Sequence, residues 1–398
     1  MSVPDRITGK PKHLYALDGV RGIAILLVLF CHFFFISTPS NLYEFVLQKL
    51  GDYGNLGVDL FFVLSGFLIT GILMDTKGKE NYFKNFIIRR SLRIFPLYYF
   101  VLIIIFLIMP LFSIFNGPLM DRVLEGEVYA WTYTYNFFIA EKQSWPPFIG
   151  HFWSLAVEEQ FYLVWPLAVY LLSTEALKRF SWLLIFVSIV AFSTFEYLGY
   201  SMVVPYVHTF TRMGVLCAGA LIAIYYRSES LKGNPNGMRN WAFFIFLTSI
   251  LIKVGVILAV KWNPSLNGPI EVLRSASWSG LFTALVMAAI DAKKGSPLER
   301  TLTIKPLMIL GKYSYGLYVY HALLTWPLKA YKMNLDLEVL VGGNSSLAWT
   351  VQFIVGTMVS LGLSYVSFHV LENKFIKLKD VFAPSSSAVK LKNGSKGN

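Results

Sequence analysis

Residues 17–32 read Leu17-Asp18-Gly19-Val20-Arg21-Gly22-Ile23-Ala24-Ile25-Leu26-Leu27-Val28-Leu29-Phe30-Cys31-His32. Apart from Asp18, Arg21 and His32 the stretch is apolar, and it runs on through Phe33, Phe34 and Phe35 to residue 37. That is the ~20 residues a helix needs to cross about 30 Å of hydrocarbon. Nine further apolar runs of similar length follow, at 56–74, 94–115, 151–172, 181–200, 210–227, 240–261, 272–291, 306–330 and 347–371. The pattern predicts an all-α fold, a polytopic transmembrane helical bundle of about ten helices. Composition agrees. Of the 398 residues, 55% are hydrophobic and 15% charged, with a mean hydropathy of +0.55. A soluble domain carries roughly 25% charged residues, and could not cover so much apolar surface with polar side chains. Cys31 and Cys217 both fall in apolar runs, so no disulfide framework is expected. No small-residue cleavage site follows the first run, which argues against a signal peptide.

A net charge of +12 invites a nucleic-acid reading. The placement of the charge argues for a membrane instead. With the N-terminus inside, 24 of the 35 Lys and Arg residues fall in the inner loops and tails and seven in the outer segments. The positive-inside rule then makes both termini cytoplasmic, with the lipid bilayer and not nucleic acid as the partner. The longest outer segment, about 116–150, carries Trp131, Tyr133, Tyr135 and Trp145-Pro146-Pro147, a pattern suited to the headgroup level. Residues 1–375 are read as the transmembrane domain and 376–398 as a disordered basic cytoplasmic tail.

Ionisable residues at membrane depth are costly and tend to face a cavity or a partner. Arg21 and His32 are eleven residues apart, about three turns, hence on one face and roughly 16 Å apart along the axis. Asp18 suits the helix N-cap. In the second run, Asp59 is expected near the depth of His32, where a carboxylate can orient an imidazole. Ser65-Gly66 in the same run reads as a close-packing site rather than a nucleophile. Ahead of the third run, Arg89 and Arg93 share a face, with Arg90 pointing elsewhere. Arginine forks suit phosphate, although inner-face charge attracted to anionic lipid explains the same cluster. The fourth run holds His151-Phe152-Trp153-Ser154-Leu155-Ala156-Val157-Glu158-Glu159-Gln160. His151 and Glu158 share a face and Glu159 points about 100° away. At least one glutamate is expected to face a polar cavity or a cation such as Arg21 or Arg212, and a structural ion pair fits equally well. In the ninth run Ser314 and His321 share a face with the makings of a polar pathway. No His-x-x-x-His or Glu-x-x-His spacing occurs, so no metal site is expected. From spacing alone, Arg21 and His32 serve as well as an interface anchor and a buried histidine.

Five strings, in order, resemble the acyltransferase 3 family of integral membrane O-acyltransferases. They are Leu17-Asp18-Gly19-Val20-Arg21-Gly22 with His32, Gly57-Val58-Asp59 through Ser65-Gly66-Phe67, and Arg89-Arg90-x-x-Arg93-Ile94-x-Pro96. Trp153-Ser154-Leu155-x-Val157-Glu158-Glu159-Gln160-Phe161-Tyr162 and Ser314-Tyr315-Gly316-Leu317-Tyr318 with His321 complete the set. The resemblance implies a cytoplasmic acyl-coenzyme A donor, acetyl-CoA above all, and no permanently bound cofactor. It implies a sugar hydroxyl at the outer face as acceptor, on a glycan or a lipid-linked sugar, and a place in the plasma membrane, the inner membrane of a bacterium. It makes His32 the catalytic residue, as general base or acyl carrier, and Arg21 the second essential group. Asp59 or Glu158 would set the imidazole, and Arg89, Arg90 and Arg93, with Ser314 and Tyr315, would bind the donor. Some members carry an esterase-like domain after an extra helix, so this chain is expected to act alone or with a separate partner. The rival reading is a transporter of a small solute or of an acyl-modified compound, but the chain shows neither matching halves nor Gly/Pro-broken helices in corresponding places.

Overall fold

A computed structural model of the chain describes residues 2–4, 11–34, 36, 38–112, 117–228, 236–266, 268, 270–330 and 333–382. Ten long helices dominate it. They are α1 (Tyr15–Phe33), α2 (Leu56–Thr76), α3 (Tyr82–Ile103), α4 (Phe152–Leu171) and α5 (Thr174–Tyr197), followed by α6 (Thr209–Tyr226), α7 (Gly237–Trp262), α8 (Glu271–Asp291), α9 (Ser314–Ala330) and α10 (Ser345–Ser367). Each overlaps one of the ten predicted runs. Among the described residues, eight segments are long and apolar enough to cross a membrane. The two helices outside that set, α4 and α9, carry the polar strings quoted above. The chain is a multi-pass, all-α membrane protein, with one short antiparallel pairing of Ser2–Pro4 with Pro11–His13.

Two boundaries differ from expectation. The N-cap of α1 is Leu14, not Asp18. Asp18 therefore lies within the first turn, 3.8 Å from Arg21. Helix α3 begins at Tyr82, well before residue 94, so Arg89, Arg90 and Arg93 are helical. Hydropathy reads the hydrocarbon slab, and a helix that projects beyond it carries polar residues without ending. The tail also begins in order, because a helix covers Asn373–Phe382. Residues 383–398, the rest of the predicted tail, lie outside the described residues.

Glycine sets the closest contacts. A Cβ on Gly66 of α2 would sit 1.9 Å from the carbonyl oxygen of Leu216, and one on Gly219 of α6 would sit 2.1 Å from that of Val63. Backbones that approach so closely gain packing and accept no side chain between them. Gly66 is therefore a packing site, while its neighbour Ser65 turns to a cavity and donates to Glu158. Gly22 and Gly311 play the same part where α1 meets the short helix Lys305–Lys312, and Gly19 where it meets Leu302 of the short helix Pro297–Leu302.

The far end of α1 is pinned from α10. Gln352 donates to the Phe33 carbonyl at 2.7 Å, satisfying one of the orphan carbonyls of the helix end. Glu44 accepts from the hydroxyls of Ser345 and Ser346 at 2.6 and 2.8 Å, tying the short helix Leu42–Asp52 to the start of α10. Segment 117–142 folds into three short helices, Pro118–Leu124, Glu127–Trp131 and Tyr135–Lys142, whose aromatic residues find partners in the bundle. Tyr133 and Tyr135 are buried, and Tyr133 stacks on Tyr98 of α3 with centroids 4.2 Å apart.

Candidate active site

The start of α1 and the projecting part of α3 form what we call the arginine end. Arg21, Arg93, Lys305, Lys312, Tyr315 and Glu372 are among the residues lining a vestibule of about 740 Å³. Arg21, Arg93 and Tyr315 also line a narrower cavity of about 100 Å³, with Arg90 and Ser314, and that cavity runs past Ser65, Glu158 and Tyr162 to Ser154 and Tyr318. Four of the five predicted donor residues, Arg90, Arg93, Ser314 and Tyr315, thus come together with Arg21, and Arg89 lines neither space. The sequence argument had grouped Arg89 with Arg93 and set Arg90 apart. Residues three apart also share a helix face, and it is this i,i+3 pair that faces inward.

Glu158 faces the narrow cavity. Its Oε1 accepts from Ser65 Oγ at 2.6 Å, and the Tyr162 hydroxyl donates to Ser65 Oγ at 3.2 Å. The Arg90 guanidinium lies over the Tyr162 ring at 5.5 Å. Glu159 points away, and its Oε1 is buried without a hydrogen-bond partner. Tyr315 donates to the Ile94 carbonyl at 2.6 Å, which fixes α9 against α3.

The other end of the tract is built of imidazoles. The ring of His32 meets His321 edge to face at 4.7 Å, and His321 meets His151 at 5.1 Å. Nδ1 of His32 lies 2.9 Å from the Val28 carbonyl, and Nδ1 of His321 lies 3.1 Å from that of Leu317. A carbonyl oxygen only accepts, so each Nδ1 carries the proton and the neutral ring keeps its lone pair on Nε2. His321 is fully buried and its Nε2 has no hydrogen-bond partner, nor has either ring nitrogen of His151. Among the described residues, no group of His, Cys, Asp or Glu is arranged to hold a metal ion.

Asp59 does not reach this cluster. Its Oδ1 lies 3.0 Å from Arg212 Nη1 of α6, and both residues are buried. Arg212 also donates to the Tyr206 carbonyl and packs over the Tyr206 ring at 4.2 Å. A buried cation draws the nearest carboxylate, and depth along the membrane fixes one coordinate of Asp59 but not its direction. Sequence reasoning also missed Tyr162, Lys305 and Lys312 as lining residues. It missed too the contact of Ser154 with Tyr318, whose hydroxyls are 2.5 Å apart. The i,i+3,i+7 spacing of His151, Ser154 and Glu158 was the available signal for Ser154.

Comparison with known proteins adds an independent line. The family model described as an acyltransferase domain matches residues 14–369. The chain is 28% identical to a putative peptidoglycan O-acetyltransferase of Bacillus subtilis, over 91% of its own length and 54% of that protein. It is 27% identical to a peptidoglycan O-acetyltransferase of Listeria monocytogenes, over 78% of this chain and 49% of that one. It is 25% identical to an O-acetyltransferase of Staphylococcus aureus, over 92% and 58%. The chain therefore spans about half the length of the curated relatives it matches. No solved structure matches it.

Proposed function

The chain belongs to the acyltransferase 3 family, and from that premise we propose that it is a membrane O-acetyltransferase that moves an acetyl group from acetyl-coenzyme A to a glycan hydroxyl. The relatives' names make a hydroxyl of peptidoglycan the first acceptor to try. On this reading the arginine end faces the cytoplasm. Arg21, Arg90 and Arg93, with the lysines of the vestibule, hold the donor phosphates, for which guanidinium forks are suited. The narrow cavity takes the pantetheine arm and the thioester. His32 is the base: the acceptor hydroxyl attacks the thioester carbon and gives its proton to Nε2. The C–O ester bond forms, the C–S bond breaks, and the proton passes on to the leaving sulfur.

The observation that carries the proposal is the pair of cavities sharing Arg21, Arg93 and Tyr315, which joins a basic vestibule to the neighbourhood of the histidines. The proposal is tested with the protein in proteoliposomes, given radiolabelled acetyl-CoA and peptidoglycan glycan strands. Ester-linked label on the glycan, matched by released coenzyme A, is the expected result. Absence of both overturns it, and transport of an unmodified solute instead favours the transporter. Label trapped on His32 in the absence of acceptor would convert the base into an acyl carrier.

A further inference from the structure

None of the three histidines lines the narrow cavity, whereas Tyr318 and Ser154 both do. Tyr318 also touches the cluster, its ring 5.3 Å from that of His151 and 5.6 Å from that of His321. Its hydroxyl donates to the His151 carbonyl at 3.0 Å and meets Ser154 Oγ at 2.5 Å, so α9 is latched to α4 at this one point. Ser154 Oγ reaches the same carbonyl at 3.2 Å. Phe61, another lining residue, packs edge-on against the Tyr318 ring at 6.2 Å. Tyr318, held by two hydrogen bonds, thus lines the space reached from the arginine end and packs its ring against two of the imidazoles.

We infer that Tyr318 is the partition between the donor cavity and the histidines, a positioning residue that yields to the thioester and otherwise keeps water from it. The inference rests on the acyl-CoA reading above. A thioester next to activated water is hydrolysed: water oxygen bonds to the acetyl carbon, the C–S bond breaks, and acetate and coenzyme A leave. Excluding water until the acceptor is present suppresses that side reaction. The ring fills the gap, and the latch on Ser154 Oγ and the His151 carbonyl sets how readily it moves aside. Two neutral hydrogen bonds hold it, a restraint weak enough to be exchanged for contacts with an arriving thioester.

The experiment measures coenzyme A released from acetyl-CoA with and without peptidoglycan strands, alongside ester formed, for wild type, Tyr318→Ala, Tyr318→Phe and Ser154→Ala in proteoliposomes. For wild type, release is expected to track ester formation. For Tyr318→Ala, acceptor-free release rises severalfold while ester formation falls about 10–100-fold, as for other losses of positioning. Tyr318→Phe and Ser154→Ala, which keep the ring and cut the latch, show the same uncoupling in smaller measure. They carry the test if Tyr318→Ala does not fold. A merely structural role would lower release and ester formation together. Variants that fold and still release coenzyme A only in step with ester overturn the partition and leave the acetyltransferase intact. A wild type that releases none under any condition overturns the donor reading itself.

Discussion

The arginine end and the histidine end of the same tract are built on opposite physical terms. At the arginine end the cations Arg21, Arg90, Arg93, Lys305 and Lys312 line a narrow cavity and a vestibule of about 740 Å³. At the histidine end three imidazole rings pack edge to face, with two Nδ1 atoms committed to carbonyls of their own helices. One arrangement leaves charge available to a mobile anionic ligand. The other fixes ring orientation and tautomer, which is what proton or acyl transfer at a single nitrogen requires. The difference teaches that binding and chemistry, on the proposed function, are housed at separate ends of α1, and that damage to each should be read in a different kinetic constant.

The largest effect should come from the chemical end. His32→Ala is expected to lower turnover by about 10²–10⁴-fold, the range general-base residues supply, with the KM for acetyl-CoA little changed in initial-rate measurements. Next comes Asp59→Asn, which tests whether that carboxylate belongs to the histidine end at all. It leaves Arg212 buried without its counter-charge and should cost about 3–5 kcal/mol of stability, read as a lowered unfolding temperature in detergent. A variant of unchanged stability that had lost turnover alone would return Asp59 to the catalytic cluster. At the binding end, Arg90→Ala or Arg93→Ala should each remove a charge-assisted contact worth about 1.5–3 kcal/mol, raising the KM for acetyl-CoA by roughly 10–100-fold. The smallest effect belongs to Arg89→Ala. Because Arg89 lines neither cavity, its KM should move by about twofold or less. A large shift there would mean that the donor site extends around the other side of α3.

The fold was legible because crossing hydrocarbon demands long apolar runs, and ten of them stand in the sequence where ten helices lie. Helix ends were less so. The start of α3 is hidden under Lys84, Arg89 and Arg90, which are polar and helical at once. Among the site residues, those whose position depends on one helix were readable. Arg21 and His32 fall at the two ends of α1, and Glu158 faces a cavity as an in-membrane carboxylate should. Those whose position depends on two helices were not. Asp59 was assigned to His32 by depth alone, and the cation that claims it comes from α6, more than a hundred residues away. The meeting of His151, His321 and His32 depends on α4, α9 and α1 converging, which periodicity within each run does not encode. Glycine marks a different meeting, since Gly66 and Gly219 show where α2 and α6 touch.

The separation of binding from chemistry is tested most directly by one set of initial rates. Turnover and the KM for acetyl-CoA are measured, with peptidoglycan strands saturating, for wild type, His32→Ala and the double variant Arg90→Ala/Arg93→Ala. The account predicts that His32→Ala loses turnover at near-normal KM and that the arginine variant loses affinity at near-normal turnover. If the arginine variant loses turnover while keeping its KM, or His32→Ala keeps full turnover, the two ends do not divide the work and the account is wrong.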